Sequence, residues 1–195
     1  NAIIGYTALM EKHWGEKEVT AGYLQKLKEA GNFLMDLIGN ILEVARIESG
    51  KETLTETAWN LCNLEDTLDL LLDRDIYKKQ LTLKKNMELQ HPKVYCDVLK
   101  IQEITMNLLS NAVKYTPEGG TIHFTIRELP YEREGYALFQ TVVEDTGIGI
   151  SKEYIPHLFE AFSREKSSSE SGIIGTGLGL RIVKKFRSEE RRVGK

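Results

Sequence analysis

The chain contains little of several residue types, and each scarcity excludes a class of protein. Its 195 residues include two cysteines, Cys62 and Cys96, which form no CxxC pair and match no zinc-ligand spacing. We therefore expect reduced thiols rather than a disulfide framework or a zinc site. The 26 basic residues do not outnumber the 29 acidic ones. The charge balance thus gives no support to a nucleic-acid partner.

Long apolar runs are also missing. No stretch approaches the ~18 apolar residues that a membrane-spanning helix needs, and no signal peptide is visible. The hydrophobic fraction of 41% and the charged fraction of 28% are typical of a soluble globular protein. Because the chain does not begin with Met, we interpret it as a fragment. A membrane segment in the missing upstream region stays open.

The first segment, residues 1–51, has the pattern of two helices. Apolar residues at positions 3–10 predict a short helix that ends before Gly15, and Thr20 is the expected N-cap of a longer one. Apolar residues then recur at helical steps: Leu24, Leu27, Leu34, Leu37, Ile38, Ile41, Leu42 and Ala45. A hairpin cannot bury this stripe alone. We expect it to dimerise into a four-helix bundle; the alternative is packing on the second segment.

The second segment, residues 52–186, mixes the two periodicities. Strand-like runs cover residues 55–61, 81–89, 121–129 and 137–144. Helical patterns cover residues 64–79, 98–115, 152–162 and 178–186. A turn-rich linker at 130–135 joins the last two strands as a hairpin. The predicted fold class is α+β: a helical hairpin followed by a two-layer α/β sandwich built on one mixed or antiparallel sheet.

The helix at 98–115 carries the first group of candidate functional residues. Glu103, Asn107 and Asn111 are spaced four apart and share one helical face. An Asn oxygen can bind Mg²⁺ without repelling the substrate phosphates that this ion keeps in its shell. Lys114, one turn on, can place its ammonium on a phosphate, and Tyr115 can pack beside a base or sugar. Asn is unfavourable inside a helix, so a purely solvated face is the weaker interpretation.

A second motif, DTGIG at residues 145–149, follows an apolar strand. A carboxylate at the strand end, here Asp145, can accept a hydrogen bond from the exocyclic amine of adenine. Gly147 and Gly149 allow the backbone to turn tightly against the ring. Guanine has a carbonyl oxygen at that position, so the motif favours adenine. Taken alone, an ordinary Asp-Thr-Gly turn would be the better interpretation.

A third motif, GTGLGL at residues 175–180, leads into an apolar helix. Its backbone amides, at the positive end of the helix dipole, form a potential phosphate site. The spacing matches neither the dinucleotide fingerprint nor a P-loop. Phe159 and Phe162 precede a serine-rich stretch at 167–171 and could anchor a lid, or could be ordinary core residues. Arg164 could reach a γ-phosphate. The scattered residues His13, His91, His123 and His157 suggest no metal or catalytic site.

These motifs, in this order, resemble those of the sensor histidine kinases, which share an ATPase class with gyrase, the Hsp90 chaperones and MutL. Residues 107–115 (NLLSNAVKY) are similar to the N box, 145–149 to the G1 box, 158–164 (LFEAFSR) to the F box and 175–180 to the G2 box. Residues 46–50 (RIESG) resemble the link between the dimerisation hairpin and the ATP domain. Lys114 is typical of the kinases within this class.

The resemblance implies ATP and Mg²⁺ as cofactors. It implies that Asn111 carries Mg²⁺, that Asp145 reads adenine and that residues 163–174 form the ATP lid. Glu103, by spacing alone, and Arg164 are candidate catalytic residues. The implied cofactor-binding residues are Asn107, Asn111, Lys114, Tyr115, Asp145, Gly147, Gly149, Ile150, Phe162, Gly175, Thr176, Gly177, Leu178 and Gly179.

The departures from the family pattern limit the activity expected of this chain. The phosphoacceptor His of the family would precede Asn1 and is absent, and His13 lies on the wrong side of the motif to replace it. Further sheet-completing strands would follow residue 186. Residues 187–195 resemble a non-native tail, such as a translated sequencing adapter. We therefore expect a hairpin at 1–51, an incomplete ATP-binding domain at 52–186, and nucleotide binding at best.

The parent protein is predicted to be an ATP-dependent protein-histidine kinase of a two-component phosphorelay. The implied partners are a response-regulator receiver domain and a second copy of the chain, joined through the hairpin. The implied location is cytoplasmic, or the cytoplasmic part of a membrane-anchored sensor. Two alternatives stay open: a non-catalytic nucleotide-binding dimerisation module, and a serine kinase or ATPase on the same fold.

Overall fold

The computed structural model describes residues 2–49, 53–165 and 175–190 of the chain. Two helices, α1 (Ala2–Lys12) and α2 (Lys17–Glu48), come first and pack against each other. The elements that follow are β1 (Thr57–Asn60), α3 (Asn63–Lys78), β2 (Thr82–Glu88), β3 (Lys93–Cys96), α4 (Val98–Tyr115), β4 (Thr121–Leu129), β5 (Leu138–Asp145), a 3-10 helix (Ile155–His157) and α5 (Gly179–Glu190). The α+β prediction, with its N-terminal helical hairpin, is confirmed.

The hairpin connection is tighter than the sequence suggests. Helix α2 begins at Lys17, and the Thr20 hydroxyl donates to the carbonyl of His13 at 2.8 Å. Thr20 is therefore inside the helix, and the prediction that it is the N-cap is wrong. Its hydroxyl bonds to a carbonyl of the preceding turn instead of accepting from the first amides of α2. Tyr6 of α1 stacks on Tyr23 of α2, with ring centroids 6.2 Å apart, beside this connection.

The apolar stripe of α2 is largely exposed in the single chain. Val44 packs against Ile182 and Phe186, two buried residues of α5. Leu34, Ile38 and Leu42, among others, stay exposed in the single chain. Val44 lies beside the predicted stripe rather than in it, so the alternative that the stripe packs on the second segment stays open. Homodimerisation through the exposed part stays a prediction.

The strands of the described ranges form two sheets where one was predicted. β2 pairs with β4 in parallel and β4 pairs with β5 in antiparallel, while β1 and β3 form a separate antiparallel pair. β3 was not predicted, because four residues after a proline carry too little periodic signal. It becomes a strand through its partner, with Trp59 of β1 opposite Val94. The predicted run at 55–61 shortens correspondingly to the four residues of β1.

The helix predicted at 152–162 is wrong. The structure has a 3-10 helix over Ile155–His157, flanked by turns. Pro156 lacks the N–H that an α-helix needs, and the amides of His157 and Leu158 donate to carbonyls three residues back. Phe162 then adopts a φ of 61°, which ends the helical path.

The core lies between α3, α4 and the face of β4 that they cover. Its buried members alternate along β4 and recur at helical spacing on the helices. They are Leu64, Leu68, Leu72, Leu81, Leu109, Ala112, Val113, Ile122, Phe124 and Ile126. Helix α4 starts at an N-cap, Asp97, whose Oδ1 accepts from the amide of Lys100 at 3.1 Å. The cap and the buried face together fix how α4 lies on the sheet.

Two composition-based expectations can be compared with the described residues. Cys62 and Cys96, both among them, are not joined by a disulfide; the first is exposed and the second half-buried. Within the described ranges, no helix is both long enough and apolar enough to cross a membrane. Residues 50–52, at the predicted domain boundary, and residues 191–195 of the predicted tail lie outside the described residues. The backbone of α5 continues through residues 187–190, so the helix does not end at Phe186.

Candidate functional site

The candidate site is built where α4 meets the glycine-rich segment that begins α5. A Cβ placed on Gly179 would lie 2.6 Å from Oδ1 of Asn107, and one placed on Gly175 would collide with Nζ of Lys114. Gly179 thus lets the backbone approach the Asn107 side chain closely, and Gly175 leaves room for the tip of the Lys114 side chain. The first and third predicted motifs are therefore in direct contact, although they are far apart in the sequence.

The second motif joins the C-terminal end of α4. Asp145 is the last residue of β5, and its Oδ1 accepts from the amide of Gly147 at 2.8 Å. A Cβ on Gly147 would lie 2.7 Å from the carbonyl oxygen of Tyr115. That carbonyl also accepts from the amide of Ile148 at 3.3 Å. The turn after β5 is thus seated on the last residue of α4, with the Asp145 carboxylate exposed.

Backbone conformation explains the other glycines of these motifs. Gly149 has a φ of 71° and Gly177 a φ of 68°, in the left-handed region that glycine tolerates best. A Cβ on Gly177 would also lie 2.8 Å from the carbonyl oxygen of Ser163. Gly149 has open space around it. Ile150, the next residue, is exposed.

The outer side of the glycine-rich segment faces α2 rather than α4. Thr176 Oγ1 accepts from Nδ2 of Asn40 at 3.0 Å. The amide of Phe162 donates to the carbonyl of Gly177 at 3.0 Å. A cavity of about 310 Å³ lies beside these contacts, and Ile41, Val44, Ala45, Ala161, Phe162, Leu178 and Arg181 line it. Phe162 and Leu178 therefore border the hairpin, and their role in cofactor binding stays a prediction.

Positive charge gathers at the contact between α4 and the glycine-rich segment. Burial, and secondly the positive charge of Arg164, hold the pKa of Lys114 below its ordinary value. Like charges held close together favour a polyanionic ligand between them. Residues 166–174 of the predicted lid lie outside the described residues, so only its first residues, 163–165, are placed.

The remaining predicted residues lie along the same helix. Glu103 and Asn107 line an open cavity of about 220 Å³, and Asn40 lines it from the side of α2. Glu103 Oε2 also lies 3.4 Å from Nζ of Lys100. Asn111 lies between Asn107 and Lys114 on α4 and is half-buried. The three motifs therefore converge on the C-terminal half of α4.

Several residues with a place in this arrangement were not predicted from the sequence. Asn40 is a polar residue among the apolar positions of α2, and this is the only sequence feature that could have marked it as functional. Thr146 fastens the turn after β5 to the start of β4, because its Oγ1 accepts from the amide of Thr121 at 2.9 Å. Ile148 reaches α4 through its backbone amide. A backbone contact leaves no residue-type signature, so sequence patterns could not have identified it.

The histidines lie apart from this arrangement. His13, His91 and His157 each place Nδ1 within 2.9 Å of a glutamate on a nearby turn or strand. His123 is exposed on β4. In the part of the chain that the structure describes, no group of three or more His, Cys, Asp or Glu side chains is arranged to hold a metal ion.

The donors present suit a nucleotide and its magnesium ion. The backbone of the glycine-rich segment forms a cradle that a Cβ would fill, against an amide oxygen of Asn107 and the ammonium of Lys114. Amide nitrogens at the start of α5 and cationic side chains favour phosphates. Neutral amide oxygens on α4 suit Mg²⁺.

Comparison with known proteins agrees with this geometry. The family described as histidine kinase-, DNA gyrase B- and HSP90-like ATPase matches residues 96–194, just over half of the chain. The sensor protein GacS of Pseudomonas syringae pv. syringae is 36% identical over 191 residues, which span 95% of this chain and 20% of GacS. The chain therefore spans about a fifth of the length of this curated relative.

Solved structures share the fold. Full-length ShkA in complex with AMPPNP superposes with a TM-score of 0.67 at 25% identity, over 85% of this chain and 33% of ShkA. Histidine kinase ThkA in complex with the response regulator TrrA superposes with a TM-score of 0.66 at 24% identity, over 83% of this chain and 46% of that one. The chain belongs to the histidine kinase-, DNA gyrase B- and HSP90-like ATPase family, in which it is similar to the sensor histidine kinases.

Proposed function

We propose that this chain is the ATP-binding part of a protein-histidine kinase that transfers the γ-phosphoryl group of ATP to a histidine and then to a response regulator. The observation that carries the proposal is the contact between α4 and the glycine-rich segment, with Gly179 against Asn107 and Gly175 against Lys114. This contact brings together the amide oxygen of Asn107, the ammonium of Lys114 and the start of α5. Phosphoryl transfer requires chiefly such positioning and charge neutralisation.

Each group has a distinct task in this proposal. Asp145 accepts a hydrogen bond from the adenine amine and so selects the base. Asn111 would hold Mg²⁺, which neutralises phosphate charge when bound, and Asn107 binds the nucleotide beside it. Lys114 binds a phosphate, and Arg164 approaches from the first residues of the proposed lid. The amides at the start of α5 bind phosphate oxygens.

The partners are proposed from the relatives. ThkA was solved in complex with the response regulator TrrA, which supports a receiver domain as the final acceptor here. The exposed apolar positions of α2, such as Leu34 and Ile38, support a second copy of the chain as the dimer partner. The acceptor histidine is proposed to lie on a dimerisation helix of the whole protein.

The first test is nucleotide binding by the chain itself, measured by calorimetry with ATP and Mg²⁺. We expect binding that Asn111→Ala weakens and that falls when Mg²⁺ is removed. The second test uses a chain extended upstream to include the acceptor histidine, incubated with γ-labelled ATP. Acid-labile label that is lost in Asn111→Ala and after replacement of the histidine supports the kinase.

The same experiment separates the alternatives. Nucleotide binding without label in the extended chain favours a non-catalytic dimerisation module. Acid-stable label favours a serine kinase, because phosphohistidine is acid-labile and phosphoserine is not. Absence of nucleotide binding in every form contradicts the proposal altogether.

A further inference from the structure

At the end of α4, the backbone carbonyls of residues 113–116 have no amide of the same helix to bond to. The side chain of one lysine donates to three of these four carbonyls. Nζ of Lys79 donates to the carbonyls of Val113 at 2.7 Å, Lys114 at 3.1 Å and Thr116 at 2.6 Å. An ammonium has three donors, and here all three are used. A cation at a helix C-terminus is also favoured by the helix dipole.

The backbone of Lys79 holds the same turn from its other side. Lys79 follows the end of α3, where its amide donates to the carbonyl of Asp75 at 3.1 Å. Its own carbonyl accepts from the amide of Gly119 at 3.0 Å. The turn between α4 and β4 is therefore bonded to Lys79 through both side chain and main chain. This residue links α3 rigidly to the end of α4.

One carbonyl in this run is left for a different partner. The carbonyls on either side of Tyr115 go to Lys79, whereas the Tyr115 carbonyl accepts from the amide of Ile148 at 3.3 Å. It also closes on Gly147, where a Cβ would come within 2.7 Å of it. The turn that follows Asp145 thus bonds to the one carbonyl of residues 113–116 that does not accept from Lys79.

We propose that Lys79 is a positioning residue of the nucleotide site. By fixing the carbonyls of Lys114 and Thr116, it holds the Tyr115 carbonyl in the direction of Ile148. It thereby sets where the turn after Asp145 lies relative to the phosphate-binding face of α4. The inference rests on the proposed function, in which Asp145 reads adenine and α4 binds the phosphates.

If Lys79 positions the Asp145 turn, its loss should change the preference for ATP over GTP. The phosphate groups interact with α4 and the glycine-rich segment, whereas the base interacts with Asp145. Loss of Lys79 displaces the Asp145 turn but leaves the contacts of Gly175 and Gly179 with α4. Binding of ATP then weakens more than binding of GTP, whose base has a carbonyl oxygen in place of the amine that donates to Asp145.

The test compares Lys79→Met and Lys79→Arg with the control Lys85→Met. Lys85 is another half-buried lysine of the same unit, and its Nζ bonds to both carboxylate oxygens of Asp69. Four quantities are measured for each: the dissociation constants of ATP and of GTP with Mg²⁺, the exchange rate of the Ile148 amide without nucleotide, and the free energy of unfolding in urea. The last identifies effects that come from stability alone.

We expect Lys79→Met to weaken ATP binding about tenfold, to change GTP binding less, and to accelerate exchange of the Ile148 amide about tenfold. Lys79→Arg should show the same changes to a smaller degree, since a planar guanidinium cannot reach the same three carbonyls equally well. Lys85→Met should lose stability while the ratio of the two dissociation constants and the Ile148 exchange rate stay those of the unmodified chain.

An unchanged ratio and an unchanged Ile148 exchange rate in folded Lys79→Met would overturn the proposal and leave Lys79 a stabilising residue only. If that variant does not fold, the same two measurements on Lys79→Arg decide. If the unmodified chain binds neither nucleotide, the proposed function fails, and the Ile148 exchange rates alone decide whether Lys79 positions the turn.

Discussion

Asn40 and Thr176 are 136 positions apart in the sequence, and their side chains share a hydrogen bond of 3.0 Å between Nδ2 and Oγ1. The bond joins α2 of the hairpin to the glycine-rich segment of the candidate site. Two neighbouring contacts reinforce it. Lys100 of α4 pairs with Glu43, and Val44 packs on the buried residues of α5. The hairpin is therefore coupled physically to the segment that is proposed to bind phosphate.

Removing this bond should loosen the contact between α2 and the glycine-rich segment. We expect Asn40→Ala to weaken the packing of α2 on this segment by about 0.5–1.5 kcal/mol, the usual net contribution of a hydrogen bond to stability. Hydrogen exchange of peptides covering residues 175–186 should accelerate. Gln25→Ala is the control, because Gln25 lies on the same helix and bonds to Glu29 on the surface. Equal exchange rates in both variants would contradict the coupling.

Asp145 should determine the preference for adenine. We expect Asp145→Ala to weaken ATP binding by about 1.5–3 kcal/mol, the contribution of a hydrogen bond to a charged group, while GTP binding changes little. Calorimetry with the two nucleotides measures this directly. Glu144→Ala is the matched control, since Glu144 is the adjacent exposed carboxylate on β5 and faces the opposite side of the strand. Comparable losses in the two variants would argue against base recognition by Asp145.

Two glycines with similar φ values should differ in their response to alanine. Gly177→Ala introduces backbone strain and also a Cβ 2.8 Å from the carbonyl oxygen of Ser163, whereas Gly149→Ala introduces strain in open space. The strain alone is about 1–2 kcal/mol. We expect Gly177→Ala to be the more destabilising in urea unfolding, and to weaken ATP binding as well. A larger loss of stability in Gly149→Ala would contradict the close packing at Gly177.

The charged Lys114 side chain should lower the free energy of unfolding and strengthen ATP binding. Because burial and then Arg164 lower its pKa in the folded chain, the unfolded chain binds more protons between that pKa and the ordinary value. The free energy of unfolding should therefore rise with pH between the lowered pKa of Lys114 and its ordinary value. Below that range Lys114 is fully charged, and its full destabilising effect is present. We expect Lys114→Met to be more stable at neutral pH, to lose that rise, and to bind ATP more weakly.

Urea unfolding from neutral to alkaline pH, with ATP calorimetry at neutral pH, tests both effects. Lys84→Met, at an exposed position of β2, serves as the control and should change neither quantity. A Lys114→Met chain that is less stable at neutral pH would show that the ammonium contributes favourable contacts that outweigh its burial.

The sequence by itself determined the parts of this protein that depend on local periodicity. Asn107, Asn111 and Lys114 share a face because the helix repeat places residues three and four apart together. Asp145 was predicted at a strand end because an apolar run precedes it, and the structure has it as the last residue of β5. The order of the motifs was enough to indicate the family. Pro156, by contrast, is visible in the sequence, and it interrupts the helix that the apolar spacing of residues 152–162 predicts.

Only the tertiary structure decided how these parts meet. The bonds from Asn40 to Thr176, from Lys79 to the end of α4 and from Ile148 to Tyr115 join residues that are tens of positions apart. β3 likewise exists because β1 lies beside it. Hydrogen bonds of this kind depend on where separate elements pack, and several use backbone atoms that every residue carries. Residue patterns therefore contain no record of them, and the folded chain alone brings their donors and acceptors within reach.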